Sequence, residues 1–246
     1  MSRLPIAPLA ALSVALSLGV ASIALAAPAV GAWTGPYVGV AAGVAFDHAK
    51  FVLPGDMSDV LLKTDANKTE FTGAALIGFD HQINSVVLGL EGDFNAVNST
   101  HRVTACNVTD GCWTSAHDSF TTHNMLKEGM GGRVRGRVGL VSGRSLFYAA
   151  AGYSVADTRL DLVGDCFNGG NPAVPLVFTY SRSKVISGYN LGVGVESAVG
   201  RHIVLRTEYI FDNYGGQLYK GDGSEWNDRL ITVRNSTVRG AISYRF

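Results

Sequence analysis

The sequence has few charged residues, few cysteines and only one long apolar run. Charged residues make up 16% of its 246 residues, and the formal charges sum to +0. Nucleic-acid-binding proteins usually carry a basic patch, so we expect no nucleic-acid partner. Cys106, Cys112 and Cys166 are too few for a disulfide-framework fold, and the spacing of the first pair matches no zinc pattern.

The long apolar run lies at the N-terminus and is typical of a secretory signal peptide. Arg3 supplies the positive charge, residues 9–25 are mostly apolar, and Ala24 and Ala26 are the small residues of a cleavage site. We predict a signal peptide over 1–26 and one mature domain over 27–246. The alternative is an uncleaved anchor, but this run is at the short end of the about 20 residues that a spanning helix needs.

Eight later stretches alternate apolar and polar residues with a period of two, which predicts strands. They cover residues 37–47, 70–81, 86–97, 130–141, 145–156, 185–199, 202–213 and 232–246. The second, fourth and sixth connections are short, whereas the other four are long and rich in Asn, Asp, Gly, Ser and Thr. Short turns at one rim and long loops at the other are typical of outer-membrane barrels. We therefore predict an all-β fold, an eight-stranded antiparallel up-and-down transmembrane β-barrel.

The alternation also predicts which face meets lipid. The fourth stretch sets three apolar side chains against three arginines: Val134, Val138 and Leu140 against Arg133, Arg135 and Arg137. A charge facing lipid at mid-depth costs about 2 to 4 kcal/mol, so the charged face is predicted to line the lumen. In the alternative, a soluble β protein, the apolar face would form the core.

Acidic and basic residues balance in the predicted lumen. The candidates are Asp47, Asp80, Glu91, Asp93, Glu196, Glu208, Arg133, Arg135, Arg137, Arg206, Arg239 and Arg245. The interior of an eight-stranded barrel is only wide enough for its own side chains. We predict an ion-paired network that fills the bore. The alternative is a charged constriction in a small porin-like channel for small solutes.

Four segments in order resemble a known family. They are WTGPYVG at 33–39, VRGRVG at 134–139 with 148–153, GYNLGVGVE at 188–196 with RTEY at 206–209, and SYRF at 243–246. They resemble the small porin-like outer-membrane β-barrel family of alphaproteobacteria, the group of major surface antigens. The resemblance implies an OmpA-type transmembrane barrel whose C-terminal aromatic residue, Phe246, is read by the barrel assembly machinery.

From this we expect a structural protein of the bacterial outer membrane. It would contact membrane lipid and lipopolysaccharide with its wall, and host, phage or antibody with its loops. The long second loop carries cysteines and is particular to this chain. The oxidising periplasm permits a disulfide between Cys106 and Cys112, and the alternatives are three reduced thiols or a bond to Cys166.

One enzyme class remains as an alternative, the lipid A deacylases, which are also eight-stranded barrels with a Ser, His and acidic triad. His117, Ser119 and Glu128 would have to converge to activate a hydroxyl nucleophile. His101, His117 and His123 share one long predicted loop and provide an alternative metal or haem site. We expect none of these sites, and no cofactor, metal or catalysis. Trp33, near a strand end, is predicted to belong to an interfacial aromatic girdle.

Overall fold

A computed structural model describes residues 33–52, 64–106, 119–167, 176–220 and 229–246, and the predicted signal peptide lies outside them. No helix in these ranges is long and apolar enough to cross a membrane. They form β1 (Gly35–Val52), β2 (Thr64–Ile83), β3 (Val86–Cys106), β4 (Ser119–Ser142), β5 (Ser145–Phe167), β6 (Leu176–Ala198), β7 (Ile203–Tyr219) and β8 (Arg229–Arg245).

The strands close into a barrel. Each strand pairs antiparallel with its neighbour in sequence, and β8 pairs with β1. Cross-strand partners can be followed around the whole barrel, starting at Ile77 of β2 and passing through β3 to β8 and then β1. The path returns to β2 at Asn67, ten residues from its start. This stagger tilts the strands of a closed barrel by about 35 to 45°. The predicted eight-stranded antiparallel barrel is confirmed.

Tight turns join the strands at one end, as predicted. Asn84 and Gly143 adopt left-handed backbone conformations in the first two turns, with φ of 55° and 58°. Glycine adopts this conformation readily because it has no Cβ. Asparagine adopts it more readily than most residues because its short side chain can hydrogen-bond to the local backbone. The third turn spans 199–202, between β6 and β7.

The strands are longer than the sequence pattern predicts. Their lengths run from 17 residues in β7 to 24 residues in β4, whereas about 9 to 11 residues cross a membrane. The predicted stretches correspond to the part of each strand next to the tight turns. Outward side chains farther along become polar, so the alternation fades while the backbone ladder continues. The segments left between strand ends are 53–63, 107–118, 168–175 and 220–228, shorter than the predicted loops.

Large apolar side chains cover the outer wall in the half of the barrel next to the tight turns. Leu90, Val134 and Val138 are at least half exposed, and Phe79, Leu140, Leu191 and Leu205 belong to the same belt. The alternating neighbours of these residues are the buried charges of the bore. This distribution is the inverse of a soluble protein and fits a wall surrounded by lipid.

The interior is layered from one end to the other. Trp33, Val87, Leu146 and Val204 form an apolar cluster at the tight-turn end. A larger cluster fills the loop end and includes Phe51, Leu126, Leu160, Ile186 and Ile231. The charged residues lie between the two clusters.

The prediction that Trp33 belongs to an aromatic girdle is wrong. The residue belongs to the interior cluster and is only 1% exposed, so it does not face lipid in an aromatic girdle. The Arg245 guanidinium lies 4.8 Å from the centre of its ring. A cation over an aromatic face is a favourable contact away from water, which explains why the indole lies inside the barrel.

Two tyrosines inside the barrel lie against glycines of the neighbouring strand. Tyr148 of β5 is paired in register with Gly194 of β6, and Tyr37 of β1 with Gly78 of β2. A Cβ at position 194 would lie 2.6 Å from the Tyr148 hydroxyl oxygen and 2.9 Å from the carbonyl oxygen of Thr207. The absence of a side chain therefore makes room for the ring.

We predict that Gly194→Ala destabilises the barrel by about 1 to 3 kcal/mol, the usual cost of overpacking a well-packed interior. Urea unfolding of the refolded protein in detergent measures this. Gly136→Ala is the control, because the nearest atom to its added Cβ would be 4.0 Å away. Equal stability of the two variants would contradict the tight Tyr148 contact.

Candidate functional site

The charged layer of the bore is built by strand parity and register. Arg133, Arg135 and Arg137 alternate along β4, so all three point to the same side of the sheet. Glu91 and Asp93 of β3 are the direct cross-strand partners of Arg135 and Arg133. The hydrogen-bond ladder therefore brings opposite charges together before any side-chain adjustment.

Glu91 lies at the centre of this layer and contacts three arginines. One of its carboxylate oxygens lies 2.6 Å from Arg206 and 3.4 Å from Arg137, and the other pairs with Arg135. The hydroxyl of Tyr37 also donates a hydrogen bond to Glu91 over 2.6 Å. One carboxylate thus joins β1, β3, β4 and β7.

Two carboxylates continue the network toward the tight-turn end. Glu196 lies 2.8 Å from Arg137, 2.5 Å from Arg206 and 3.2 Å from Arg245. Asp80 lies 2.5 Å from Arg245 and 3.4 Å from Arg137. The Arg137 guanidinium also lies 4.2 Å from the centre of the Tyr148 ring.

Three carboxylates continue it toward the loop end. Glu208 lies 2.8 Å from both Arg135 and Arg239. Asp93 pairs with Arg239 and, over 3.2 Å, with Arg133. Both Asp212 oxygens accept hydrogen bonds from Arg133, over 2.9 Å from Nε and 2.7 Å from Nη2. This two-point contact uses the planar fork that distinguishes arginine from lysine.

The network connects eleven of the twelve lumen residues predicted from the sequence. Asp212 is the carboxylate that the predicted set lacks, although it shares the parity of Arg206 and Glu208 on β7 and that signal would have found it. Tyr37 and Tyr148 were also missing from the set, because aromatic residues do not stand out by charge.

Asp47 is the predicted member that the structure places elsewhere. It is buried inside the barrel, but none of the ion pairs among the described residues includes it. Its partner on β8 is Asn235, four residues closer to the loop end than Arg239. Parity predicts its inward direction correctly, whereas its height in the barrel depends on the register of all the strands.

An irregularity in β4 determines what lies around Asp47. The pairing of β4 with β5 shifts between Glu128 and Gly131, so along the chain the inward positions change from even to odd numbers. Glu128 therefore faces inward, where its carboxylate lies 3.6 Å from His101. The sequence placed Glu128 in a loop because the alternation breaks at this point.

The bore is closed at the level of the network. The six arginines are only 1 to 6% exposed, and the six carboxylates are 5% exposed or less. Water reaches the side chains that line an open channel, so these arginines and carboxylates would be far more exposed if the bore were open. Within the described residues, the arginine and carboxylate side chains thus fill the space that a solute would need.

The proposed catalytic and metal-binding sets do not converge. Ser119 and Glu128 belong to the same strand nine residues apart, which separates them by about 30 Å. His101 is buried inside the barrel, whereas His123 is exposed. His117 lies outside the described residues. Among the residues that the structure covers, no group of His, Cys, Asp and Glu is arranged to hold a metal ion.

Two further predicted features are a disulfide and an assembly signal. Cys112 is outside the described residues, so the disulfide between Cys106 and Cys112 remains a prediction. The Phe246 ring makes an edge contact with Tyr244 at 5.1 Å between ring centres, and its backbone N–H donates to the carbonyl of Pro36. The C-terminus thus helps to hold β8 against β1.

A family model described as "Outer membrane protein beta-barrel domain" matches residues 13–246. The chain belongs to this outer-membrane β-barrel family. Its location is therefore the bacterial outer membrane, and the apolar belt of the barrel is its lipid-facing wall.

Two family relatives agree with the resemblance seen in the sequence. The "31 kDa outer-membrane immunogenic protein" of Brucella melitensis is 28% identical over 221 residues, which cover 87% of this chain and 84% of the relative. The "22 kDa outer membrane protein" of Rhizobium leguminosarum is 27% identical over 164 residues, covering 67% and 62% of the two chains.

The family fold is also seen in a solved structure. The outer membrane protein OprG from Pseudomonas aeruginosa aligns with a TM-score of 0.51 at 9% identity, covering 87% of this chain and 97% of OprG. At this identity the likeness concerns the fold alone.

We predict that Glu91→Gln destabilises this family member by about 3 to 5 kcal/mol, because it removes the carboxylate shared by three buried arginines and leaves one positive charge of the bore uncompensated. Glu70→Gln is the control, since it removes a carboxylate paired with the partly exposed Lys68 and is expected to cost less than about 1 kcal/mol. Denaturant unfolding of both variants in detergent decides. A loss for Glu91→Gln no larger than that of the control would contradict a structural role for the network.

Proposed function

We propose that this protein is a structural barrel of the outer membrane that supports the envelope and presents its loops, without forming an open channel or catalysing a reaction. The observation that carries the proposal is the bore, which buried ion pairs fill across its whole width. A surface protein needs a rigid wall and exposed loops, and a closed barrel provides both.

The length of the strands supports a role at the cell surface. β4 and β5 have 24 and 23 residues, about twice the number that a membrane crossing needs. The extra length carries the loops away from the lipid. Two relatives are named immunogenic outer-membrane proteins, which fits contact between these loops and antibody, and we extend this to host or phage surfaces.

A small porin-like channel is the second candidate, and the charge of the bore is the feature that favours it. A ring of charge selects ions in many pores. Here, however, each arginine of the network has a carboxylate within 3.2 Å, so little charge is left to attract a solute.

We predict that the purified protein shows no steady conductance in planar lipid bilayers. The double variant Glu91→Ala and Arg137→Ala removes a central anion and a cation, and we expect it to leak ions because water can enter the space left. Leu90→Ala on the lipid side is the control and should stay closed. A wild-type channel that passes sugars would contradict the closed bore.

The proposal includes recognition of Phe246 by the barrel assembly machinery. We expect Phe246→Ala to lower the amount of folded protein in the outer membrane, while refolding of the pure variant in detergent stays close to wild type. Heat-modifiable migration in detergent gels measures both. Leu88→Ala, another lipid-facing apolar residue, is the control. Equal cellular yields of the two variants would show that Phe246 is no assembly signal.

A further inference from the structure

The outer wall changes character above the lipid belt. On β5 the outward side chains run from Tyr153 and Val155 to Asp157, Arg159 and Asp161. Arg159 is four residues beyond Val155, which places it roughly 10 Å above that residue on a tilted strand. Each headgroup layer of a bilayer is about 5 to 8 Å thick, and long basic side chains bend toward it.

Three basic residues meet on this wall. Lys127 of β4 is the direct cross-strand partner of Arg159. Arg102 of β3 is the partner of Met125, two residues from Lys127 along β4, so it is a diagonal neighbour of the pair. All three are exposed, with 48% of the Lys127 side chain and 56% of the Arg159 side chain accessible.

Asp161 holds two of these cations in position. Its carboxylate accepts hydrogen bonds from Lys127 Nζ over 2.9 Å, from Arg159 Nε over 2.9 Å and from Ser181 Oγ over 2.7 Å. Partial burial opposes its ionisation, but the hydrogen bonds from Ser181, Arg159 and Lys127 outweigh this and lower the pKa of Asp161 to about 2. The carboxylate is therefore ionised at neutral pH.

The arrangement leaves binding capacity free. Among the described contacts, Arg159 binds Asp161 through Nε alone. The two terminal nitrogens of the Arg159 guanidinium have no acceptor among these contacts. Arg102, Lys127 and Arg159 carry three positive charges against the two negative charges of Asp157 and Asp161. The patch therefore keeps a net positive charge at the height where the phosphates of an outer-leaflet lipid lie.

We propose that Arg102, Lys127 and Arg159 bind the phosphate groups of the outer-leaflet glycolipid, with Asp161 as a positioning residue. This rests on the proposed function as an envelope barrel, and it assigns the contact with lipopolysaccharide that the sequence predicts to one part of the wall. Guanidinium and ammonium groups are the side chains that bind phosphate best, and the apolar belt below provides contact for the acyl chains.

The test measures lipid binding by the full detergent-folded barrel with native mass spectrometry. The probes are bisphosphorylated lipid A, dephosphorylated lipid A and inorganic phosphate. A single cation near an anionic lipid surface strengthens binding about fivefold, so Arg102→Ala, Lys127→Ala and Arg159→Ala together should weaken binding of bisphosphorylated lipid A on the order of 100-fold. We expect wild-type protein to bind dephosphorylated lipid A much more weakly.

The matched control instead removes two cations from the loop end of β6 and one from the residue that follows β7: Arg182→Ala, Lys184→Ala and Lys220→Ala. It has the same change in net charge and should bind like wild type. Heat-modifiable migration verifies that both triple variants are folded, and Arg159→Gln alone gives a milder second test, with an expected loss of about fivefold.

Three results would overturn the proposal: equal binding of phosphorylated and dephosphorylated lipid A, equal binding by the two triple variants, or displacement of the lipid by inorganic phosphate at the same concentration. The last would indicate a site for free phosphate. None of them bears on the closed bore, which the conductance measurement tests separately.

Discussion

The structure depends on the pairing of arginines with carboxylates inside a closed bore. Within the described residues, six arginines and six carboxylates form one connected network, with members on β2, β3, β4, β6, β7 and β8. A buried charge without a partner is costly, so the network is favourable only when these strands stand in their final register. It therefore opposes any slipped or open arrangement of the barrel.

Because the bore is filled, other molecules contact this protein at its outer surface. Within the described residues, charges fill the middle of the bore and apolar clusters fill both ends, which leaves little space inside the barrel. What remains accessible is the wall and the loop end. The wall is apolar along the membrane and polar beyond it, and the strands of up to 24 residues carry this polar surface well past the lipid.

Sequence patterns predicted the part of the barrel that the membrane constrains. Lipid on one side and a charged bore on the other force strict alternation, which is visible in residues such as Val134 beside Arg133 and Arg135. Beyond the lipid this constraint ends, so the strand extensions were missed. The bulge near Glu128 was missed as well, because Gly129, Gly131 and Gly132 permit a shift of register there but do not by themselves show that one occurs.

Four features could be predicted from the sequence: the number of strands, the tight turns at one end of the barrel, the inward direction of the charged residues and the outer-membrane β-barrel family. These follow from local periodicity and from short segments. The tertiary structure alone decided which charges meet, as it pairs Asp212 with Arg133 and separates Asp47 from the network. The reason is that height in a barrel is set by the stagger accumulated over all eight strands, which no single stretch of sequence contains.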